Sequence, residues 1–111
     1  MIELVVLNYL TEQMDVPVYA EEPEEKPERY VLIEKTGSSI NNHIRRATFA
    51  IQSYAPSMID VMALNEEVKM VMDDAAILPE IARSHLNSDY NYTDTETKRY
   101  RYQAVYELVH Y

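Results

Sequence analysis

Apolar residues near the start of the chain recur at the spacing of one helix face. Positions i, i+3, i+4, i+7 and i+8 are filled by Ile2, Val5, Val6, Tyr9 and Leu10, and Gln13 continues the row. This period predicts an amphipathic helix of about three to four turns with one buried side. Asp15 and Pro17 end the helix, because the residue before a proline is pushed out of the helical region.

A second helix is predicted between Ser57 and Pro79. Ser57 can cap the N-terminus, and Asp60 occupies the third helical position, as in a capping box. Helical spacing then places on one side Met58, Val61, Met62, Leu64, Asn65, Val68, Val71 and Met72. Methionine-rich stripes can form adaptable binding surfaces, but at helical spacing we expect core packing against a sheet.

Strand signals occupy most of the remaining chain. β-Branched and aromatic residues alternate with polar ones, or form short runs, at 16–20, 30–35, 43–55, 81–92 and 99–111. In the fourth strand, one predicted face holds Ala82, Ser84, Leu86, Ser88, Tyr90 and Tyr92. In the fifth, one predicted face holds Tyr100, Tyr102, Ala104, Tyr106, Leu108 and His110. We expect one face of the sheet to pack on the helices and the other to stay partly wet.

The loops carry two signals. Residues 21–28 contain five glutamates and two prolines, which predicts a mobile, extended acidic loop. Gly37 is the only glycine of the protein, and we expect it to adopt a positive φ at the start of a turn and loop that extends to Asn42.

Together these elements predict a single domain, residues 1–111, of the α+β class. The order α-β-β-β-α-β-β gives a mostly antiparallel sheet of about five strands with two helices packed on one face.

The composition excludes several classes of protein. The 111 residues include 19 acidic and 10 basic ones, and a net charge of −9 disfavours high-affinity binding of duplex nucleic acid. The small basic clusters Arg45-Arg46 and Lys98-Arg99-Arg101 are interpreted as solvated strand faces. The absence of cysteine excludes disulfides and thiolate metal sites. Without a signal peptide or an apolar run of about 20 residues, we expect an intracellular protein with no membrane contact.

We find no catalytic or metal-binding signature. His43, His85 and His110 lie in separate segments, and a single glycine excludes the phosphate-binding and dinucleotide-binding loops. The acidic residues around the last hairpin lack the spacing of a calcium loop. We therefore expect no enzyme, no cofactor and no bound metal.

Tyrosine is the conspicuous aromatic residue. The chain has 10 tyrosines, one phenylalanine and no tryptophan, and tyrosine suits half-buried sites and subunit interfaces. Tyr90, Tyr92, Tyr100 and Tyr102 gather on one predicted hairpin. We expect these tyrosines either to pack over the helices or to contact a neighbouring subunit, and the two roles are not exclusive.

Several local motifs, in their order along the chain, resemble a known family. The first helix is followed by "VPVYAEEPEEKPERYVLIEKTGS", then by a strand ending "QSYAPS" that opens a helix, and finally by "KRYRYQAVYELVHY". Over almost the whole chain, this succession resembles the tail-completion or tail-terminator proteins, which join head to tail in long-tailed bacteriophages and their prophages.

The resemblance implies a structural protein of the virion tail, made in the bacterial cytoplasm and commonly assembled as a hexameric ring. The ring caps the tail tube, halts its polymerisation and binds the head connector, while DNA only passes through the lumen. A long loop of the family contacts neighbouring subunits or the tube protein, and it corresponds here to residues 21–28. Glu21, Glu22, Glu24 and Glu25 are the expected contact residues.

Other classes of function remain open. A head-closure or connector subunit of the same virion would share the acidic, ring-forming character and differ only in its partner. A small-ligand-binding or enzymatic α+β domain would need a pocket where His43, His85, Asp89 and tyrosines converge. A phage-encoded regulator would use the acidic loop to bind a host protein.

Overall fold

The computed structural model describes residues 1–97 and 99–111. Its elements are α1 (Ile2–Gln13), β1 (Val18–Tyr19), β2 (Tyr30–Asn41), β3 (Ile44–Ala55), α2 (Met58–Asp73), a 3-10 turn (Ala75–Ile77), β4 (Ile81–Asn91) and β5 (Tyr100–His110). The predicted order of two helices and five strands is confirmed, and the fold is α+β.

The five strands form one sheet in the order β1-β2-β3-β5-β4. β1 runs parallel to β2, and the other neighbouring strands are antiparallel. β1 is an edge strand that pairs only through Val18 and Tyr19. Pro17, which lacks an N–H donor, immediately precedes it, as expected of a proline at a sheet edge.

The core fills the space between the two helices and one face of the sheet. Its buried members include Val6 and Leu10 of α1, Phe49 and Ile51 of β3, Leu64 and Val68 of α2, and Tyr106 and Leu108 of β5. The hydroxyl of Tyr106 donates to Asp73 Oδ1 at 2.7 Å, so its polar end is satisfied while the ring is fully buried. The prediction that the stripe of α2 packs on the sheet is confirmed for Val61, Leu64, Asn65, Val68 and Met72. It is wrong for Met62, which is 42% exposed.

The start of α2 is fixed by two contacts. The hydroxyl of Ser57 accepts a hydrogen bond from the Asp60 N–H at 3.1 Å, which confirms the predicted N-cap. The Asp60 carboxylate lies 3.0 Å from Nε of Arg29, the residue that precedes β2. This ion pair ties the helix N-terminus to the sheet, and a carboxylate is favourable at that end of the helix dipole.

The β2–β3 hairpin turns later than the sequence predicts. Gly37 lies inside β2 without a positive φ, beside a bulge between Lys35 and Gly37. The turn is formed by Asn42 and His43, with φ of 52° and 65°. The prediction of a turn and loop from Gly37 is therefore wrong, since glycine in a strand also marks a bulge. Positive φ at both central residues matches the twist of a two-residue hairpin turn.

The alternation of side chains between the two faces of the sheet is interrupted twice along β4. Bulges interrupt its pairing with β5 between Ile81 and Arg83 and between Leu86 and Ser88. Leu86 packs against the core, whereas Tyr90, beyond the second bulge, lies on the opposite face. The prediction that Leu86 and Tyr90 share a face is wrong, because an inserted residue exchanges the two faces of a strand.

Candidate interaction surface

The face of the sheet opposite α1 and α2 carries a row of aromatic and cationic side chains. The register places Tyr30 of β2 opposite Tyr54 of β3, and Tyr54 opposite Arg101 of β5. Tyr19 of β1 adjoins Tyr30, and Tyr92, just after β4, donates its backbone N–H to Arg101. We call these five residues the tyrosine–arginine ladder.

Neighbouring side chains of the ladder are in contact along its whole length. Tyr19 and Tyr30 meet edge to face with 5.9 Å between ring centres, and Tyr30 and Tyr54 stack at 4.6 Å. The Arg101 guanidinium lies 5.7 Å from the ring centre of Tyr54 and 4.3 Å from that of Tyr92. Because such contacts contribute about 0.5–1.5 kcal/mol each, the ladder orders this face without a second layer of helices.

The ladder is buried at its centre and open at its β4 end. Tyr30 and Tyr54 are 1% and 4% exposed, whereas Tyr92 is 45% exposed. Tyr90, itself 41% exposed, meets the Tyr92 ring edge to face at 5.9 Å. Half-exposed tyrosines beside an arginine have the composition of a protein interface.

Two buried glutamines connect the centre of the ladder to its open end. The Tyr54 hydroxyl donates to Gln52 Oε1 at 3.0 Å, and Gln52 Nε2 donates to Gln103 Oε1 at 2.9 Å. Gln103 Nε2 then donates to the Tyr90 hydroxyl at 2.5 Å. A buried polar network with its partners in place is rigid, so Tyr90 is held in one orientation.

Glu22 of the acidic loop closes the other side of the ladder. Its Oε1 accepts a hydrogen bond from the Tyr30 hydroxyl at 2.5 Å and one from Arg99 at 3.2 Å, and Arg99 also donates to that hydroxyl. Burial opposes ionisation of Glu22, but the bonds from Tyr30 and Arg99 outweigh it and lower the pKa of the carboxyl. Burial, reinforced by Glu22, raises the pKa of Tyr30. The loop is thus anchored to the sheet.

The predicted contact residues of the loop divide into two groups. Glu21, Glu24 and Glu25 are exposed, as expected of a surface that meets a partner. Glu22 instead bonds within its own molecule. The predicted mobility of residues 21–28 stays a prediction.

The four predicted hairpin tyrosines lie on two faces. Tyr90 and Tyr92 belong to the ladder side of the sheet. Tyr100 and Tyr102 share the side of Ala104, which packs in the core beneath the helices. The structure therefore brings Tyr90 and Tyr92 together on one face, although Tyr90 also lines a cavity beside α2 with Tyr102 of the other face.

Sequence patterning did not identify the residues at the centre of the surface. Tyr30 and Tyr54 lie in different strands, and only the register, which the local pattern does not specify, makes them neighbours. Arg99 and Arg101 are not a solvated face: both are half-buried against tyrosine rings. Lys98, grouped with them above, lies outside the described residues.

The described residues offer little for metal chemistry. Over 1–97 and 99–111, no three His, Asp or Glu side chains gather in a group that could hold a metal ion. His43 lies in the β2–β3 turn, and His85 lies on β4. Asp89 binds α2 instead: it accepts from Asn65 at 2.9 Å and lies 2.9 Å from Lys69 Nζ.

Within the described ranges, no helix is both long enough and apolar enough to cross a membrane.

In comparisons with known proteins, no family model matches the sequence. No curated protein matches it either.

Proposed function

We propose that this chain is a ring-forming structural protein of a phage tail that resembles a tail terminator. Its ring caps the tail tube, stops tube polymerisation and joins the tube to the head connector. The observation that carries the proposal is the open end of the tyrosine–arginine ladder, where Tyr90 and Tyr92 stand half-exposed on a sheet face that neither helix covers.

This open end is suited to a protein partner. Tyrosine and arginine are enriched in the centres of interfaces and at residues that dominate binding energy. Tyr90 is held by Gln103, and Tyr92 lies against Arg101. Since these rings are ordered before binding, little conformational entropy is lost when a partner covers them.

The free edge of β4 also favours an assembly. β4 spans 11 residues and pairs with β5 on one side only. An unpaired strand edge is a template for another chain, and bulges limit unwanted pairing along it. The two bulges of β4 therefore confine any added pairing to its regular segments, 83–86 and 88–91.

The overall charge is compatible with a ring around DNA. A net charge of −9 repels the phosphate backbone, so DNA passing through the lumen would not be gripped. The order of helices and strands agrees with the succession on which the resemblance rests.

The first test is the solution mass by light scattering over a concentration series, followed by electron microscopy with the tail-tube protein of the same virus. We expect a discrete ring of about six subunits, closed by a heterologous interface, and tubes of fixed length. Tubes that elongate without limit in the presence of the protein would contradict the proposal.

Paired variants locate the interface. Tyr90→Ala with Tyr92→Ala removes the open end of the ladder and should weaken the ring or its binding to the tube. Tyr111→Ala is the matched control, because Tyr111 is 81% exposed and lies outside the ladder. Equal assembly by both variants would exclude the ladder as an interface.

Two alternatives are separated by their partners. A head-closure or connector subunit would bind the connector and leave the tube uncapped. A small-ligand-binding domain is favoured by a cavity of about 380 Å³ between α2 and β4, lined in part by Asn65 and Tyr102. Asn65 Oδ1 is buried there and has no hydrogen-bond partner among the described residues.

A further inference from the structure

The two ends of β2 carry opposite charge. The acidic loop, residues 21–28, precedes the strand and holds five glutamates against one lysine, a net charge of −4. Residues 35–46, at the far end of β2 and the start of β3, hold three basic residues and no acidic one, a net charge of +3. Although the net charge of the whole protein is negative, one end of the molecule therefore carries a local excess of basic residues.

A single molecule cannot bring these ends together. β2 has 12 residues, and at about 3.3 Å per residue it separates the ends by roughly 36–40 Å. The longest dimension of the molecule is 44 Å, so the acidic loop and the hairpin tip lie near opposite ends of it. Contact between the two charges requires two molecules.

The basic end forms a groove between the N-terminus of α1 and the β2–β3 hairpin. The groove has a volume of about 530 Å³, with walls formed by Met1, Ile2, Lys35, Ser38, Ser39, Ile40, Arg45, Arg46 and His110. Met1 and Ile40 are 85% and 69% exposed, so its apolar surface is open to solvent. The groove thus combines exposed apolar side chains with cationic ones.

The arginines of the groove have no ionic partner within the molecule as described. Lys35 is paired with Glu3 at 2.9 Å, so among the cations that line the groove Arg45 and Arg46 form no ion pair with residues 1–97 and 99–111. Both arginines are exposed. Arginine binds carboxylates through two parallel hydrogen bonds, which makes it the better cation for recognising glutamate.

The acidic loop has matching features. Glu21, Glu24 and Glu25 are exposed, and none forms an ion pair with a residue that the structure describes. Pro23 and Pro27 give the segment apolar surface and favour an extended backbone. Glu22, bound to Tyr30 and Arg99, fixes one point of the loop on the sheet.

We infer that the groove binds the acidic loop of a second copy of this chain. Arg45, which shares a face of the hairpin with Ile40, pairs with a glutamate of the neighbour's loop, while Ile40 and Met1 pack on its prolines. Arg46 adds positive charge from the other face of the hairpin. Two different surfaces meet, so the contact is heterologous and propagates head to tail until a ring closes. The inference rests on the proposed function in one respect: it takes the two molecules in contact to be neighbouring subunits of the ring.

A charge swap tests this contact. The loop variant carries Glu21→Lys, Glu24→Lys and Glu25→Lys and retains Glu22, which holds the loop on the sheet. The hairpin variant carries Arg45→Glu and Arg46→Glu. Sedimentation at low and high salt measures self-association of each protein alone and of an equimolar mixture, after circular dichroism has verified folding.

We expect wild-type protein to associate at low salt and less at high salt, because exposed ion pairs are screened. Each variant alone should associate at least about tenfold more weakly, since like charges then face each other. The mixture should recover association, because the loop of one variant now complements the hairpin of the other. Unchanged single variants, a mixture without recovery, or wild-type protein that stays monomeric at low salt would each overturn the inference.

The outcome is separable from that of the proposed function. Rings that persist in both charge variants would exclude this contact and leave the ring itself intact. Wild-type dimers or chains that neither close into rings nor cap tubes would support the contact and contradict the terminator.

Discussion

The ring of Tyr30 lies almost parallel to that of Tyr54 on the neighbouring strand, with 4.6 Å between ring centres and 9° between ring planes. Both rings are buried although neither lies under a helix. The Arg99 guanidinium sits 4.5 Å from the centre of the Tyr54 ring. The sheet face opposite the core is therefore ordered by its own side chains, which has measurable consequences for stability.

Truncation of Tyr54 should destabilise the protein even though the residue is outside the main core. Tyr54→Phe removes a hydroxyl that bonds Gln52 and Arg101, and we expect a loss of about 1 kcal/mol in the free energy of unfolding. Tyr54→Ala also removes the stacked ring, for a loss of about 3–5 kcal/mol. Urea denaturation measures both. Tyr111→Ala, at an exposed site, should stay within about 0.5 kcal/mol of wild type, and a similarly small effect of Tyr54→Ala would refute the structural role of the stack.

The Glu22 anchor predicts a dependence of stability on acidity. The pKa of Glu22 is lowered in the folded state, since bonds from Tyr30 and Arg99 outweigh burial. The contribution of Glu22 to the free energy of unfolding is therefore complete above the ordinary pKa of 4.5. This contribution is lost as the pH falls through the lower pKa that Glu22 has in the folded protein. Glu22→Gln should be less stable than wild type at pH 7, and the difference should shrink towards pH 3.

Urea denaturation from pH 7 to pH 3 measures this convergence. Glu24→Gln is the matched control, because Glu24 is exposed and has no ion pair with a described residue. The free energy of unfolding of the control should follow that of wild type at every pH. A constant difference between Glu22→Gln and wild type would show that the ionised carboxylate does not hold the loop.

Local signals predicted the elements of the fold because each depends on residues close in sequence. The helical period of α1, the Ser57 cap and the alternation around Phe49 each report on a few neighbouring positions. The bulges escaped this reasoning, since a bulge is defined by two strands at once. One extra residue between Leu86 and Ser88 moved Tyr90 to the other face.

The candidate surface was predictable only in part for the same reason. The alternation of β5 correctly separated Tyr102 from Arg101, but it could not show which β3 residue lies opposite Arg101. The partnership of Glu22 with Arg99 joins positions far apart in sequence through the register of three strands. Composition indicated a surface rich in tyrosine, and the register decided which tyrosines form it.

Buried tyrosines should resist ionisation at high pH. Burial, with a hydrogen bond to Asp73, raises the pKa of Tyr106, and burial with a bond to Glu22 raises that of Tyr30. A tyrosine whose pKa is raised in the folded protein stabilises the fold at pH values below the ordinary tyrosine pKa of 10.0. That stabilisation is lost as the pH rises above 10.0. Absorbance at 295 nm should therefore show that at least two of the 10 tyrosines ionise only as the protein unfolds.

Single hydroxyl deletions assign these two groups. Tyr30→Phe and Tyr106→Phe should each remove one late-ionising tyrosine from the titration. Tyr111→Phe should remove an early one, because Tyr111 is 81% exposed. Loss of an early group from the Tyr106→Phe variant would place Tyr106 outside the core.

The position of the β2–β3 turn gives opposite predictions for two residues of the hairpin. Gly37 has no positive φ, and a Cβ added there meets no atom within 4 Å. Gly37→Ala should therefore raise the free energy of unfolding by about 0.4–1 kcal/mol, through the lower entropy of the unfolded chain.

His43, by contrast, holds a φ of 65°, which glycine adopts without the strain that an L-residue meets there. His43→Gly should stabilise the hairpin by up to about 1 kcal/mol, as relief of about 1–2 kcal/mol of strain exceeds the added freedom of the unfolded chain. Asn42→Ala should destabilise it, because alanine tolerates positive φ less well than asparagine. Thermal and urea denaturation measure all three. If Gly37→Ala were destabilising and His43→Gly had no benefit, the chain would reverse at Gly37, and the basic groove would lose the wall that Ile40 and Arg45 provide.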